Sequence, residues 1–195
     1  MSRNASAVLL AGGKSSRMGT NKALLRFRSG ETVIERIVAR VSPLVSDLRV
    51  VTNTPDEYEF LRLPMHADLI PGASSLGGIF TGLTFAEHDP VLVLSCDLPL
   101  ISAPLLARLL ELSEGAELLM PYISGRQQPL HAVYTRACVP AMRAQLAAGD
   151  LKIVRLLDSV HGRVVTELDL DPEWLPSFRN MNTPEDWAAL EDSER

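Results

Sequence analysis

Val91-Leu-Val-Leu-Ser95 sets the first limit on the fold. The run is apolar up to its last residue and does not alternate, which is the pattern of a strand covered on both faces. Strands of that kind pair in parallel, and a parallel neighbour has to be reached by a crossover, usually a helix. Ser6-Ala-Val-Leu-Leu-Ala11 is a second such run and closes on Gly12-Gly13. Between and after these two, strand-like runs alternate with helical patterns. Residues 32–44 place Val33, Ile34, Ile37, Val38, Val41 and Leu44 at helical spacing, with Pro43 disturbing the end. Residues 48–52 form a strand and residues 65–69 a short one. Residues 78–86 form a helix after a glycine turn. Residues 102–112 form a helix capped by Ser102, with Pro104 in its first turn.

The second half continues the pattern. Residues 116–120 and 130–134 read as strands flanking a turn at 124–129. Residues 139–148 and 152–157 are helical, 163–168 is a strand, and Asn182 or Thr183 caps a last helix that has Pro184 just inside its start. No repeat, linker or low-complexity stretch interrupts the chain. The expectation is one α/β domain over residues 1–195 with a mostly parallel central sheet. Ligands of such sheets sit beyond the carboxyl ends of the strands. That rule directs attention to the residues after Ala11, Thr52, Leu69 and Ser95.

Charge sharpens the expectation. The chain carries a formal net charge of −5, from 19 basic and 24 acidic side chains. Its acidity speaks against a nucleic-acid polymer as partner. No apolar run approaches the length needed to cross a bilayer. The average hides an asymmetry, however. Arg3, Lys14, Arg17, Lys22, Arg26 and Arg28 fall in the first 30 residues with no acid among them. An unopposed basic end points to an anionic partner there. The short stretch ahead of Ala5 does not have the form of a signal peptide. Cys96 and Cys138 lie far apart, form no metal-ligand pair, and suit a reduced cytoplasmic setting. His66, His88, His131 and His161 show no ligand spacing and read as surface or structural residues. His131, beside the Gln-Gln-Pro-Leu turn, is the one to watch. Trp174 and Trp187 read as packing anchors.

Leu10-Ala-Gly-Gly-Lys-Ser-Ser-Arg-Met-Gly19 follows the first strand, and Thr20-Asn-Lys22 comes next. Glycines expose backbone N–H donors that suit phosphate oxygens. Arg17 and Lys22 add positive charge. The stretch is not a P-loop, since the earlier glycine of that motif would fall on Val8. Asp97, after the strongest strand, suits a Mg²⁺ ion bridging phosphates, or else caps the turn. A basic loop and one acid form a minimal set for attack on a nucleoside triphosphate. Asn53 and Asp68 stand at two further strand ends. An amide and a carboxylate there can read a base or ribose, or can close Asx turns.

These residues carry a resemblance. The glycine loop with Lys22 resembles the signature of the molybdenum cofactor guanylyltransferases, the MobA family. Cys96-Asp-Leu-Pro99, Gly125-Arg-Gln-Gln-Pro-Leu130 and Asn180-Met-Asn-Thr-Pro-Glu-Asp186 match the same family in the same order. The resemblance implies a three-layer, Rossmann-like nucleotidyltransferase fold. It implies transfer of GMP from GTP to molybdenum-bound molybdopterin, with release of pyrophosphate and Mg²⁺ as the metal. Leu10, Ala11, Gly12 and Gly13 would then meet the nucleotide. Lys22 and Arg17 would hold phosphates, Asn53 and Asp68 would contact the guanosine, and Asp97 would bind Mg²⁺. Asn180 and Asn182 are the candidates for the pterin. Transient contact with molybdoenzymes or cofactor-handling proteins is implied as well.

Two positions depart from the family pattern. Asn21 stands where an Asp usually precedes the lysine. Ser74-Ser-Leu-Gly-Gly78 replaces a Gly-Pro-Leu-x-Gly loop near the base pocket. Two alternatives stay open. One is a cytidylyl or sugar-phosphate transferase of the same fold. The other is a non-catalytic nucleotide-binding protein that delivers cofactor.

Overall fold

A computed structural model describes residues 4–12, 21–181 and 183–193. Among them, all strands join one sheet. The parallel core consists of β1 (Ser6–Leu10), β2 (Asp47–Val51), β3 (Met65–His66) and β4 (Val91–Ser95), in the order β3-β2-β1-β4. Past β4 the sheet continues with β7 (His131–Tyr134), which is antiparallel to β4 and to β5 (Leu118–Ile123). β6 (Arg126–Gln127) folds back on β5 as a hairpin, and β8 (Gly162–Thr166) runs parallel to β5.

The residues of β4 explain its central place. Val91 and Val93 enter one core; Leu92 and Leu94 enter the other. Each face is covered by helices, which gives the three layers. On one side lie α1 (Val33–Val41), α3 (Ala103–Leu112) and α5 (Pro184–Ser193); on the other, α2 (Ser74–Phe85) and α4 (Val139–Ala147). α1 starts at a reciprocal cap. The Thr32 hydroxyl accepts from Glu35 N, and Glu35 Oε2 accepts from Thr32 N at 2.7 Å. Pro43 sits in a 3₁₀ turn just past the end of α1, as expected. Thr183 caps α5: its hydroxyl accepts from Asp186 N, and its own N donates to Asp186 Oδ2 in return. Trp187 packs against Phe27 with ring centroids 5.0 Å apart, and Trp174 leans on the same core.

Among the boundaries that differ from the sequence expectation, three bear on the packing and the turns. α2 begins at Ser74 rather than at residue 78, so Gly77 is a helical residue and not a turn residue. Two glycines of the helix, Gly78 and Gly82, let it lie close against β1. A Cβ on Gly82 would stand 2.5 Å from Val8 Cγ1, and one on Gly78 would stand 3.4 Å from Leu10 Cδ2. The stretch read as one turn at 124–129 contains β6. Ser124 (φ 53°) and Gly125 (φ 74°) form a two-residue turn with both φ positive, which matches the strand twist of a tight hairpin. β8 stops at Thr166, whose hydroxyl caps a 3₁₀ turn, and this leaves Leu168 97% exposed.

Candidate active site

The order β3-β2-β1-β4 reverses direction at β1. The chain steps outward from β1 to β2 and β3, then crosses back over β1 to β4. A crevice opens at such a reversal beyond the carboxyl ends of the two strands. The register fixes what lines it. Leu10 pairs with Val51 on one side and Ser95 on the other, and Ala11 N donates to Val51 O at 2.9 Å. Ala11-Gly12, Thr52-Asn53 and Cys96-Asp97 therefore leave the sheet side by side. Gly12 is exposed, and a Cβ there would meet no atom within 4 Å. Gly13, Lys14, Arg17 and Asn182 lie outside the described residues.

Asp97 is half-buried at the exit of β4. Its Oδ1 accepts from Ser95 Oγ at 2.5 Å, and its backbone oxygen accepts from Met181 N at 2.9 Å. Among the described residues its Oδ2 has no protein donor, and no cluster of three or more metal-ligating side chains occurs. A lone carboxylate with one oxygen held and one available fits a hard divalent cation. Such an ion keeps several waters and takes its other ligands from substrate phosphates. Cys96 beside it is buried, and burial raises its thiol well above the usual range, so it is an uncharged packing residue.

Asn53 and Asp68 meet across the ends of β2 and β3. Asn53 Nδ2 donates to Asp68 Oδ2 at 2.8 Å, and Asp68 N donates to Asn53 Oδ1 at 3.0 Å. Each polar edge orients the other. Asp68 Oδ1 lies 3.7 Å from where a Gly78 Cβ would be, and Leu69 N donates to Thr81 Oγ1 at 2.9 Å. The glycine face of α2 thus sits against this pair, which gives the Ser74–Gly78 stretch its place at the site.

Lys22 opens a 3₁₀ turn, Lys22–Leu24, that follows the glycine loop. Asn21 caps that turn, its Oδ1 accepting from Ala23 N. Its Nδ2 donates to Glu57 Oε2 at 2.7 Å and to the Tyr58 hydroxyl at 2.8 Å. Tyr58 is buried, and burial pushes its hydroxyl up to about 12. The turn carrying Lys22 is thereby tied to the segment that leaves β2. Ser95, Glu57, Tyr58 and the Met181 amide were not singled out in the sequence. The departure at Asn21 was the one signal pointing toward Glu57 and Tyr58.

The structure brings Leu10, Ala11, Gly12, Asn53, Asp68 and Asp97 to one edge, with Lys22 on the adjoining turn. Asn180 is exposed and precedes Met181, whose amide reaches the Asp97 loop. His131 differs from the expectation of a satisfied or surface histidine. It is buried against Phe178, with ring centroids 4.5 Å apart, and among the described residues neither ring nitrogen has a partner. Burial takes its pKa down to about 3.

A parallel sheet with a glycine loop, a lone acid and a polar pair at its reversal point defines an α/β nucleotidyltransferase. Residues 7–164 match the family model described as the MobA-like NTP transferase domain, and the chain belongs to that family. It is 37% identical to a Carboxydothermus hydrogenoformans protein named "Probable molybdenum cofactor guanylyltransferase", over 96% of this chain and 95% of that one. The fold superposes on Aq1419 of Aquifex aeolicus with a TM-score of 0.79 at 28% identity, covering 94% and 96% of the two chains. It also superposes on the molybdopterin-guanine dinucleotide biosynthesis protein A of Archaeoglobus fulgidus, with a TM-score of 0.78 at 24% identity over 97% and 100%. Among the described residues no helix is long and apolar enough to cross a membrane.

Proposed function

We propose that the protein transfers GMP from GTP to the phosphate of molybdenum-bound molybdopterin, with residues 1–195 acting as one catalytic unit in the cytoplasm. The carrying observation is the convergence of Gly12, Asp97 and the Asn53–Asp68 pair on one sheet edge at the reversal point. An acceptor phosphate oxygen attacks the α-phosphorus of GTP, the bond from that phosphorus to the bridging oxygen breaks, and pyrophosphate leaves. Mg²⁺ held by Asp97, when bound, offsets negative charge on the phosphate oxygens.

The chain's own residues bind and orient. The backbone of Leu10, Ala11, Gly12 and Gly13 receives the nucleotide. Lys22 and Arg17 neutralise phosphate charge, which is the main protein contribution in this chemistry. Asn53 holds Asp68 so that its second oxygen can accept from guanosine donors, and a base without those donors leaves a carboxylate unpaired. Ser95 orients the carboxylate of Asp97. Asn180 and Asn182 are the candidates for contact with the pterin. No observation favours the cofactor-delivery reading, which has no use for an oriented metal acid.

Incubation with GTP, Mg²⁺ and molybdenum-loaded molybdopterin should yield the guanine dinucleotide and pyrophosphate in equal amounts. Product with CTP and none with GTP would replace the guanylyl reading by a cytidylyl one. Binding of GTP without pyrophosphate release would support delivery instead.

A further inference from the structure

Among the described residues β8 pairs with β5 alone, so its other edge is open. His161 O accepts from Leu118 N, which turns the odd-numbered residues of β8 toward β5. The N–H and C=O of Gly162 and Val164 therefore point away from the sheet. Thr166 faces outward as well, but its N–H is taken by Asp169 Oδ2 at 2.7 Å. Sheet edges are commonly blunted by short strands, prolines, bulges or charges. β3, at the opposite edge, is two residues long. β8 has five residues, an unbroken register and no proline. Its one charge, Arg163, donates to Leu112 O at 2.7 Å.

Apolar side chains line this edge. Val164 is 50% exposed at mid-strand, and Tyr122, paired with Thr166, is exposed beside it. Leu168 stands in solvent just past the strand, on a turn fixed by its own N–H to Thr166 Oγ1 at 3.3 Å. An apolar strip along an open strand edge is a pairing surface.

The sequence along the edge is complementary to itself. Two copies of β8, antiparallel about a two-fold axis at Val164, set Val164 against Val164 and Gly162 against Thr166. The same register sets His161 against Glu167 and Val160 against Leu168. The two Val164 residues exchange N–H···O=C bonds, and each Glu167 meets His161 and, on the diagonal, Arg163 of the other copy. Across residues 160–168 no like charges face each other. An axis at Arg163 would set that guanidinium against its own copy. An axis at Val165 would need the Thr166 N–H that Asp169 already holds.

We propose that the β8 edge is the interface of a symmetric homodimer, in which a second copy of this chain continues the sheet through antiparallel β8–β8 pairing centred on Val164. β8 runs parallel to β5, and β5 and β4 are both antiparallel to β7, so the carboxyl end of β8 lies on the side of the active edge. The two active edges of the dimer then face opposite ways, and both stay open.

Sedimentation equilibrium of the full chain, up to about 0.5 mM, should find a monomer–dimer equilibrium in wild type. Val164→Lys sets two ammonium groups on the axis and should weaken dimerisation at least about tenfold. Its melting temperature, taken at dilutions where wild type is monomeric, should be unchanged. Glu167→Arg should weaken dimerisation about fivefold, and adding Arg163→Glu should recover most of the loss. Val164→Cys, oxidised with diamide, should join two copies by a disulfide, because that residue meets itself on the axis. Leu168→Cys, exposed but far from its own copy, should not. A wild type that stays monomeric overturns the proposal and leaves the edge to a strand of another protein. A dimer that Val164→Lys leaves intact, or one that Leu168→Cys crosslinks as fast as Val164→Cys, overturns it too.

Discussion

Asn21 gives Glu57 a hydrogen bond of 2.7 Å from its side-chain amide, and an aspartate in its place could not. The amide is used at both ends, accepting from Ala23 N and donating to Glu57 and Tyr58. Asn21→Asp would keep the acceptor but set a carboxylate against Glu57. The pair is exposed, so the cost is modest, about 1 kcal/mol, read as a melting temperature lower by about 2–4 °C. GTP binding should weaken several-fold, because the turn that carries Lys22 loses its tie. Adding Glu57→Gln restores a donor opposite the new carboxylate and should recover both values. A double variant no better than Asn21→Asp would show that the contact does not position the turn.

Asp97→Asn should lower the transfer rate by about 10²–10³-fold with an unchanged melting curve. Ser95→Ala removes the hydroxyl that holds one oxygen of that carboxylate, and should cost about tenfold. Steady-state rates at saturating GTP and Mg²⁺ check both. Full activity in Asp97→Asn would remove it from the site.

Gly82→Ala places a methyl where Val8 Cγ1 already stands, 2.5 Å away. Overpacking at such a contact costs about 1–3 kcal/mol. Val8→Ala in the same chain vacates the space, so urea denaturation should find the double variant more stable than Gly82→Ala alone.

His131 makes stability depend on acid. Its folded pKa of about 3 lies below the unfolded value near 6.5, so the unfolded chain binds a proton that the folded chain refuses. Stability from the neutral imidazole is complete above pH 6.5 and is lost as the pH falls toward 3, by up to about 1.4 kcal/mol per pH unit. His131→Leu removes the titrating group together with two unpartnered nitrogens. It should narrow the difference in melting temperature between pH 5 and pH 7.5. An unchanged difference would assign the acid sensitivity elsewhere.

Much of the nucleotide half was legible because its signals are local. An unalternating apolar run, a glycine loop and polar residues at strand ends each carry their meaning in a few adjacent residues, and Leu10, Asn53, Asp68 and Asp97 fall where those signals put them. The start of α2 was hidden because glycine usually breaks helices. Gly78 and Gly82 serve a helix-to-sheet approach that the packed pair Val8–Gly82 reveals. The ion pair of Asp47 and Arg49, 2.8 Å apart on a buried strand, was equally silent, since the partner Glu87 is distant in sequence.

The hydrogen bond from Met181 to Asp97 bears on how the enzyme is made. The parallel core and the carboxylate loop leave the ribosome long before Met181 does, so a nascent chain can form its sheet while the loop still lacks this tie. The catalytic edge is therefore finished late in translation. A truncated product that ends ahead of Met181 retains the parallel strands but leaves the Asp97 loop without that anchor.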